Sequence, residues 1–350
     1  MSSATRWRWT AMTDHLDHRI RVGACLSLSG RYARFGSQAA RALDVWRSLD
    51  GHVDLIIVDD QSDPRILRQT LHRIADTSDV LLSPYSTQLV RAAASMASAE
   101  GWLLWNHGGS GDDVENSYAG HVVSLLTPAS RYAEQFIRRA TNHENIELWI
   151  VNGKGSFGRQ VAEGADQAAR RAGICTRRLE HGGDWPSSAP SESWALFTAG
   201  TFEQDVETVR RAQHQPDPPA TICAVAAGVQ EFAREVDHPE GIYGVAQWFP
   251  GAVANSPQIG PSESTFLAAY ASTTKTPIDY PGVQAVAGAA LATYCARRAG
   301  ATAPQPLWAE ATALDIETLF GGFKIDSVTG AQLKHEAVLV RWAHGRLALA

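Results

Sequence analysis

A chain of 350 residues with 44% hydrophobic and 19% charged residues is too long for one ordinary core and too apolar to be disordered, so two lobes are expected. The formal net charge of −6 argues against nucleic acid as a partner, because a binding face must offset phosphate with Lys and Arg. Basic residues are nearly all Arg scattered along helical faces, with Lys only at Lys154, Lys275, Lys324 and Lys334.

Residues 1–19 hold no apolar h-region and no small-residue cleavage site, and no stretch of the chain reaches ~18 apolar residues. This segment reads as a disordered leader on a chain that does not span a membrane and, as written, stays in the cytoplasm. From Ile20 onward short apolar strands alternate with amphipathic helices. Strands are predicted over Ile20–Leu28, Val53–Asp59, Val80–Pro84, Trp102–Asn106 and His121–Leu125. Helices are predicted over Gly36–Leu49, Pro64–Thr77 and Thr87–Ala99. The strands are apolar nearly throughout, as expected of a parallel sheet covered by helices on both faces.

A second series of the same design starts near Arg131. It comprises helix Tyr132–Thr141, strand Glu147–Asn152, helix Gln160–Ala172, strand Ile174–Leu179, helix Phe202–Gln213, and strands Thr221–Ala226 and Gly241–Ala246. Gly182–Pro190 and Asp217–Pro219 are loops by composition. Pro250–Pro281 reads as irregular and Val283–Arg298 as an Ala-rich helix. Gly322–Asp326 and Ala337–Trp342 read as a hairpin-like pair around Thr329 and Gly330. The fold class is therefore α/β, with two doubly wound Rossmann-like lobes whose strand ends face a shared cleft.

Cys25 and Cys223 sit inside apolar strand-like runs and read as buried reduced thiols. Neither they nor Cys175 and Cys295 have metal-clip or redox spacing. No metal site and no cofactor are expected. The motif that competes with this is Gly153–Gly158 (GKGSFG), which follows a strand, opens a helix and precedes Glu180 by about twenty residues. That context fits a dinucleotide pyrophosphate, yet a Gly-rich strand-to-helix turn is needed in any such fold. Ser110, in His107–Asp113 (HGGSGDD), lacks the frame of a nucleophile elbow, and the turn reads as a presenter of backbone N–H groups. Asp59 and Asp60, followed by Ser62-Asp63-Pro64, read as a turn and helix cap.

In order and spacing, these segments resemble the substrate-binding proteins of ABC importers of the branched-chain amino acid type, the type I periplasmic binding proteins. The resemblance runs from about Ile20 to Trp342. It is carried by Arg21–Gly30, Arg31–Gly36, Val58–Pro64, the loop Ser83–Thr87, the loop Asn106–Ser110, and Asn152 through Gly158. It implies hinge closure on a small molecule without catalysis, with an ABC permease as partner. Its site residues would be Phe35 packing on the ligand, Tyr85, Ser86 and Thr87 in the ligand loop, and Gly108 and Ser110 completing an anion site. Phe157 would close over the ligand from the second lobe. Relatives usually hold an ammonium with a carboxylate near the strand end that here reads Gly244–Trp248. Gln247 is neutral, so the expected ligand has a carboxylate or amide and no ammonium, such as an aromatic or short-chain acid, with Trp248 as a flat wall. Asp112, Asp113 or Glu231 would restore the charge if the ligand is an amino acid.

The expected lobes are 20–130 with 250–320, and 131–249 with 321–350, the chain crossing near 129–131, 247–250 and 319–324. Three roles stay open at this level. One is solute capture for an importer, which the resembled family performs outside the cytoplasm. Another is a cytoplasmic sensor of the amide-regulator kind acting on a partner protein. The third is an NAD(P)-dependent enzyme resting on Gly153–Gly158.

Overall fold

The structure, a computed structural model, describes residues 19–140, 146–186, 193–253 and 257–350; the expected leader, apart from Arg19, and the end of the Gly182–Pro190 loop lie outside them. In the first lobe the strands are Ile20–Leu26 (β1), Val53–Asp59 (β2), Val80–Leu82 (β3), Leu104–Asn106 (β4) and Val122–Ser124 (β5). They pair in parallel in the order β2-β1-β3-β4-β5. Between them lie helices Ala33–Asp50 (α1), Pro64–Ala75 (α2), Thr87–Glu100 (α3) and Asp113–Ser117 (α4). The Asp59–Pro64 reading holds locally. Asp63 caps α2 by accepting from Arg65 N at 2.7 Å, with Pro64 opening the helix.

The second lobe repeats the plan. Helices Glu134–Ala140 (α5), Ser156–Arg171 (α6), Phe202–Gln213 (α7) and Phe232–Glu235 (α8) alternate with its strands. The strands are Ile146–Asn152 (β6), Cys175–Glu180 (β7), Ser193–Ala199 (β8), Thr221–Ala224 (β9) and Tyr243–Ala246 (β10). They run parallel in the order β7-β6-β8-β9-β10, the same winding as the first sheet. In each sheet the strand order therefore reverses beside the first strand, between β1 and β3 and between β6 and β8. Ligands of doubly wound sheets settle at such switch points.

The rest of the chain completes both lobes. Helices Glu263–Thr273 (α9), Tyr280–Ala299 (α10) and Pro304–Ala313 (α11) lead to a small ribbon, Ile316–Thr318 (β11) with Gly321–Phe323 (β12). Val338–Ala343 (β13) then pairs antiparallel with β10, and Arg346–Leu349 (β14) with β13. α10 packs on α1 and buries much of its length in a core that also holds Leu26, Trp46 and Trp105. The second sheet has a cluster on each face, one around Phe136, Ile150 and Phe197, the other around Trp149, Trp194 and Trp342.

Four expectations are corrected. β8 occupies a stretch to which no element is assigned above, between the Gly182–Pro190 loop and the helix from Phe202, and its run from Trp194 to Ala199 is buried. α9 lies inside the region read as irregular, and α11 follows it. Gly322–Asp326 and Ala337–Trp342 do not form a hairpin. β12 is already paired to β11, while β13 extends the second sheet because its alternate residues Val340 and Trp342 bury against that sheet's core. Phe323 and Ile325 pack in the first core, so the chain crosses between Ile325 and Ala337, which belongs to the second, and not at 319–324.

Candidate functional site

Between the carboxyl ends of the two sheets lies a cavity of about 580 Å³. Small-molecule pockets run from about 300 to 1,000 Å³. Phe35, Tyr85, Ser86, Thr87, Gly108, Ser110, Phe157 and Gln247 all line it. Trp248 does not. Its ring is buried in the first core and borders a separate cavity of about 270 Å³ with Phe249, Tyr270 and Ile278, so it supplies no wall to the cleft.

The floor of the cleft is built from two loops that only glycine allows to meet. A Cβ on Gly108 would lie 2.0 Å from the Pro84 carbonyl oxygen, and one on Gly109 would lie 2.7 Å from the Val90 side chain. Asn106, at the end of β4, ties the loop from within. Its Oδ1 accepts from Gly108 N and Gly109 N at 3.2 and 3.0 Å, and its Nδ2 donates to Gly109 O and Ser124 Oγ at 2.6 and 2.7 Å. Ser124 in turn donates to Glu115, whose carboxyl burial pushes up to about 7.

Ser86 and Thr87, expected to act alike, have different tasks. Ser86 holds φ at +89°, a conformation costly for a residue with a Cβ, and is pinned there from both sides. Its N–H donates to Gly108 O at 2.9 Å, and its hydroxyl accepts from Leu89 N as the cap of α3. Thr87 lines the cavity at the start of α3; its hydroxyl has no partner among the described residues, and the Ser86 cap takes up only Leu89 N of that first turn. The Ser110 hydroxyl accepts from Tyr132 Oη at 2.8 Å and keeps its own proton to donate. From the second lobe, α6 also opens toward the cavity without a side-chain cap. Two helix N-termini and the Thr87 and Ser110 hydroxyls thus line one cavity, where an anion would be held.

The walls are aromatic. Phe35 stacks on Tyr85 with centroids 4.4 Å apart, and Phe157 meets Tyr132 edge-on at 5.6 Å. Burial pushes the Tyr85 and Tyr280 phenols far up, so both stay neutral. The basic residues at the cavity are Arg31, Arg34, Arg91, Lys154 and Arg159, against two acids, Glu203 and Asp205. Glu203 is paired with Arg34 at 2.7 Å. Asp205 accepts from Ala226 N at 2.9 Å and from Thr198 Oγ at 3.1 Å, and burial pushes it up to about 7. Neither carboxylate is left to meet an ammonium.

The residues weighed as substitutes for that charge are committed elsewhere. Asp113 holds Arg91 at 2.7 Å, Asp112 accepts from Ser130 N at 3.1 Å, and Glu231 lies 3.5 Å from Arg34. Gln247 lines the cavity but spends its amide on a crossing point, accepting from Thr127 N at 3.0 Å and donating to Thr127 O at 3.2 Å. Thr127 Oγ also lies 2.8 Å from His335 Nδ1, so the three crossings are joined by one buried polar cluster. Burial pulls His335 down to about 4, which keeps it neutral.

Contacts also run directly between lobes. Arg34 reaches Glu203, Arg91 donates to Ser156 Oγ at 3.1 Å, and Gln160 donates to Asp113 at 2.6 Å while accepting from Asp112 N at 2.9 Å. Sequence reading missed Arg34, Glu203, Arg91, Ser156 and Gln160, and also Tyr280 and Gln284 on α10, because nothing local marks a surface Arg or a helical Gln as facing a cleft. The glycines of Gly153–Gly158 have a packing explanation. A Cβ on Gly153 would lie 2.4 Å from Gly200 Cα, and one on Gly158 would lie 2.6 Å from the Ala199 carbonyl oxygen. Among the described residues no group of three or more His, Cys, Asp or Glu could hold a metal, and no helix is long and apolar enough to cross a membrane.

Residues 19–182 match the profile of the periplasmic binding protein family. No curated protein matches the chain in sequence. Among solved structures, the leucine-binding protein LivK of Thermotoga maritima is 14% identical, with a TM-score of 0.80 over 95% of this chain and 97% of its own. A solute-binding protein of an ABC transporter from Rhodopseudomonas palustris HaA2, in complex with p-hydroxybenzoic acid, is 16% identical, with a TM-score of 0.75 over 94% of each chain. Another from R. palustris, in complex with benzoate, is 16% identical, with a TM-score of 0.74 over 94% of this chain and 95% of its own. The fold is that of the type I periplasmic binding proteins, and the resemblance to that family read from the sequence is borne out.

Proposed function

We propose that this chain is the solute-binding component of an ABC importer and that its ligand is an aromatic carboxylate without an ammonium group. The observation that carries this reading is the cavity itself. Phe35, Tyr85 and Phe157 offer ring faces, the Thr87 and Ser110 hydroxyls and two helix N-termini offer donors, and of the two carboxylates at the cavity Glu203 is paired with Arg34 while Asp205 is held by Ala226 N and Thr198 Oγ. An ammonium placed there would lose its hydration without gaining a counter-charge. A carboxylate gains charge-assisted hydrogen bonds from donors that have no other partner. That solved proteins of this fold are seen with benzoate and with p-hydroxybenzoic acid is consistent with such a ligand.

The two sheets act as lobes that hinge at the Thr127–Gln247–His335 cluster and close on the ligand through the Arg34–Glu203 and Arg91–Ser156 contacts. Binding at micromolar affinity corresponds to about −8 kcal/mol, within reach of a few charge-assisted hydrogen bonds and an aromatic clamp. The permease that would receive the ligand belongs to this proposal.

The test is calorimetric titration of the purified protein with benzoate, phenylacetate, phenylalanine, leucine and NAD(P). The expected result is micromolar binding of the acids lacking an amine. Tight binding of leucine or phenylalanine together with silence from the aromatic acids overturns the ligand class and leaves the fold untouched. Binding of NAD(P) alone overturns the transport reading.

A further inference from the structure

Gln284 lies one helical turn beyond Tyr280 on α10, so the two side chains share a face, and both line the cavity. Gln284 is 1% exposed, its Oε1 is buried without a partner, and the amide makes no hydrogen bond among the described residues. Other buried amides in the fold are satisfied. Gln247 is tied to Thr127, and Gln332 donates to Leu125 O at 3.0 Å and accepts from Lys334 N at 2.9 Å. A primary amide carries two donors and two acceptor lone pairs, and leaving its carbonyl oxygen buried and unpaired is costly.

The ground behind Gln284 does not relieve it. One turn further along the same face, Gly288 packs beside His107, a Cβ there standing 3.5 Å from the His107 Cβ, an ordinary contact. The His107 ring is fully buried and both its nitrogens lack partners. Tyr85 and Tyr280 stand on the cavity wall with it, and neither gives Gln284 Oε1 a partner.

We infer that Gln284 is a specificity-determining residue, and that it binds a hydroxyl on the ring of the aromatic acid. A hydroxyl suits a free amide because its O–H reaches Oε1 while its lone pairs accept from Nε2. A site built to hydrogen-bond a hydroxyl discriminates against the analogue lacking it, because the site's own polar atoms are then stranded. The ligand class is thereby narrowed from aromatic carboxylates to hydroxy-substituted ones, an inference that rests on the aromatic-acid reading above.

The experiment titrates the full chain with benzoate, the three monohydroxybenzoates and 3,4-dihydroxybenzoate, and repeats the series on Gln284→Leu and Gln284→Met. In the wild type at least one hydroxylated acid is expected to bind about tenfold or more tighter than benzoate. Both variants are expected to bring that ratio to within about twofold. Absence of any preference in the wild type overturns the inference, as does a preference that survives both substitutions. If benzoate binds without preference, only the role of Gln284 falls. If none of these acids binds, the ligand class itself falls and the inference with it. The wild-type ratio stands as a test even if one variant fails to fold.

Discussion

Replacing Thr87 by Val removes one hydroxyl from the proposed anion site and little else. Thr87 opens α3 and is buried, and a Cβ on Gly111 would lie 2.4 Å from its Cγ2, so the methyl packs against that glycine. Valine keeps the methyl and the β-branch, and its helix propensity is similar to that of threonine. The lost hydroxyl has no partner among the described residues, so no protein atom is stranded by its removal. A hydrogen bond to a charged group contributes about 1.5–3 kcal/mol. At 1.4 kcal/mol per decade, Thr87→Val is expected to weaken benzoate binding roughly 10- to 150-fold. The unfolding midpoint of the ligand-free protein is expected to shift by less than the equivalent of about 0.5 kcal/mol. Calorimetric titration and thermal unfolding of the same samples separate the two quantities. A Kd within twofold of wild type removes Thr87 from the site. A parallel fall in ligand-free stability shows that the hydroxyl holds the fold and not the ligand.

Glu203→Gln breaks the bridge to Arg34, whose side chains are 56% and 26% exposed. Exposed pairs are worth about 0–1 kcal/mol, so affinity is expected to fall by no more than about fivefold, with the difference vanishing above about 0.5 M salt. A salt-independent loss measured by titration contradicts a closing role through charge. His335 supplies a pH prediction. Burial holds it neutral in the fold down to about 4, whereas in the unfolded chain it takes up a proton below about 6.5. Its contribution to stability is therefore whole above pH 6.5 and is lost as pH falls toward 4. By urea unfolding, the stability gap between wild type and His335→Gln is expected to shrink by about 2 kcal/mol between pH 7.5 and 5.0. A gap that stays constant with pH refutes the neutral, buried imidazole.

Much of the α/β pattern is written locally. The apolar run of β1 and the helix of α7 need only their own residues to be recognised, since burial on both faces and capping leave marks in composition. β8 escaped because Ser193–Ala199 follows a Gly- and Pro-rich loop with no helix before it, and only its pairing with β6 and β9 reveals a central strand. β13 was seen as a strand but given the wrong neighbour. A strand's apolar face records that it is buried but not against which sheet.

The same division holds in the site. Loops whose chemistry lies in sequence order, such as Ser83–Thr87 and Asn106–Ser110, were legible because glycine, hydroxyl and helix start stand side by side. Trp248 was misplaced because two neighbouring residues at a strand end point to opposite sides, so Gln247 reaches the cleft and Trp248 the core. The sequence by itself determined a twice-used α/β design, the two loops of the anion site and the absence of a carboxylate at position 247. The tertiary structure alone decided that Ser86 is strained into a cap while Thr87 stays free, that Glu203 is paired with Arg34 and Asp205 held by Ala226 N and Thr198 Oγ, and that α10 turns Gln284 toward the cavity. Those facts depend on which atoms from distant segments come within about 3 Å of one another, a property that no local run of residues encodes.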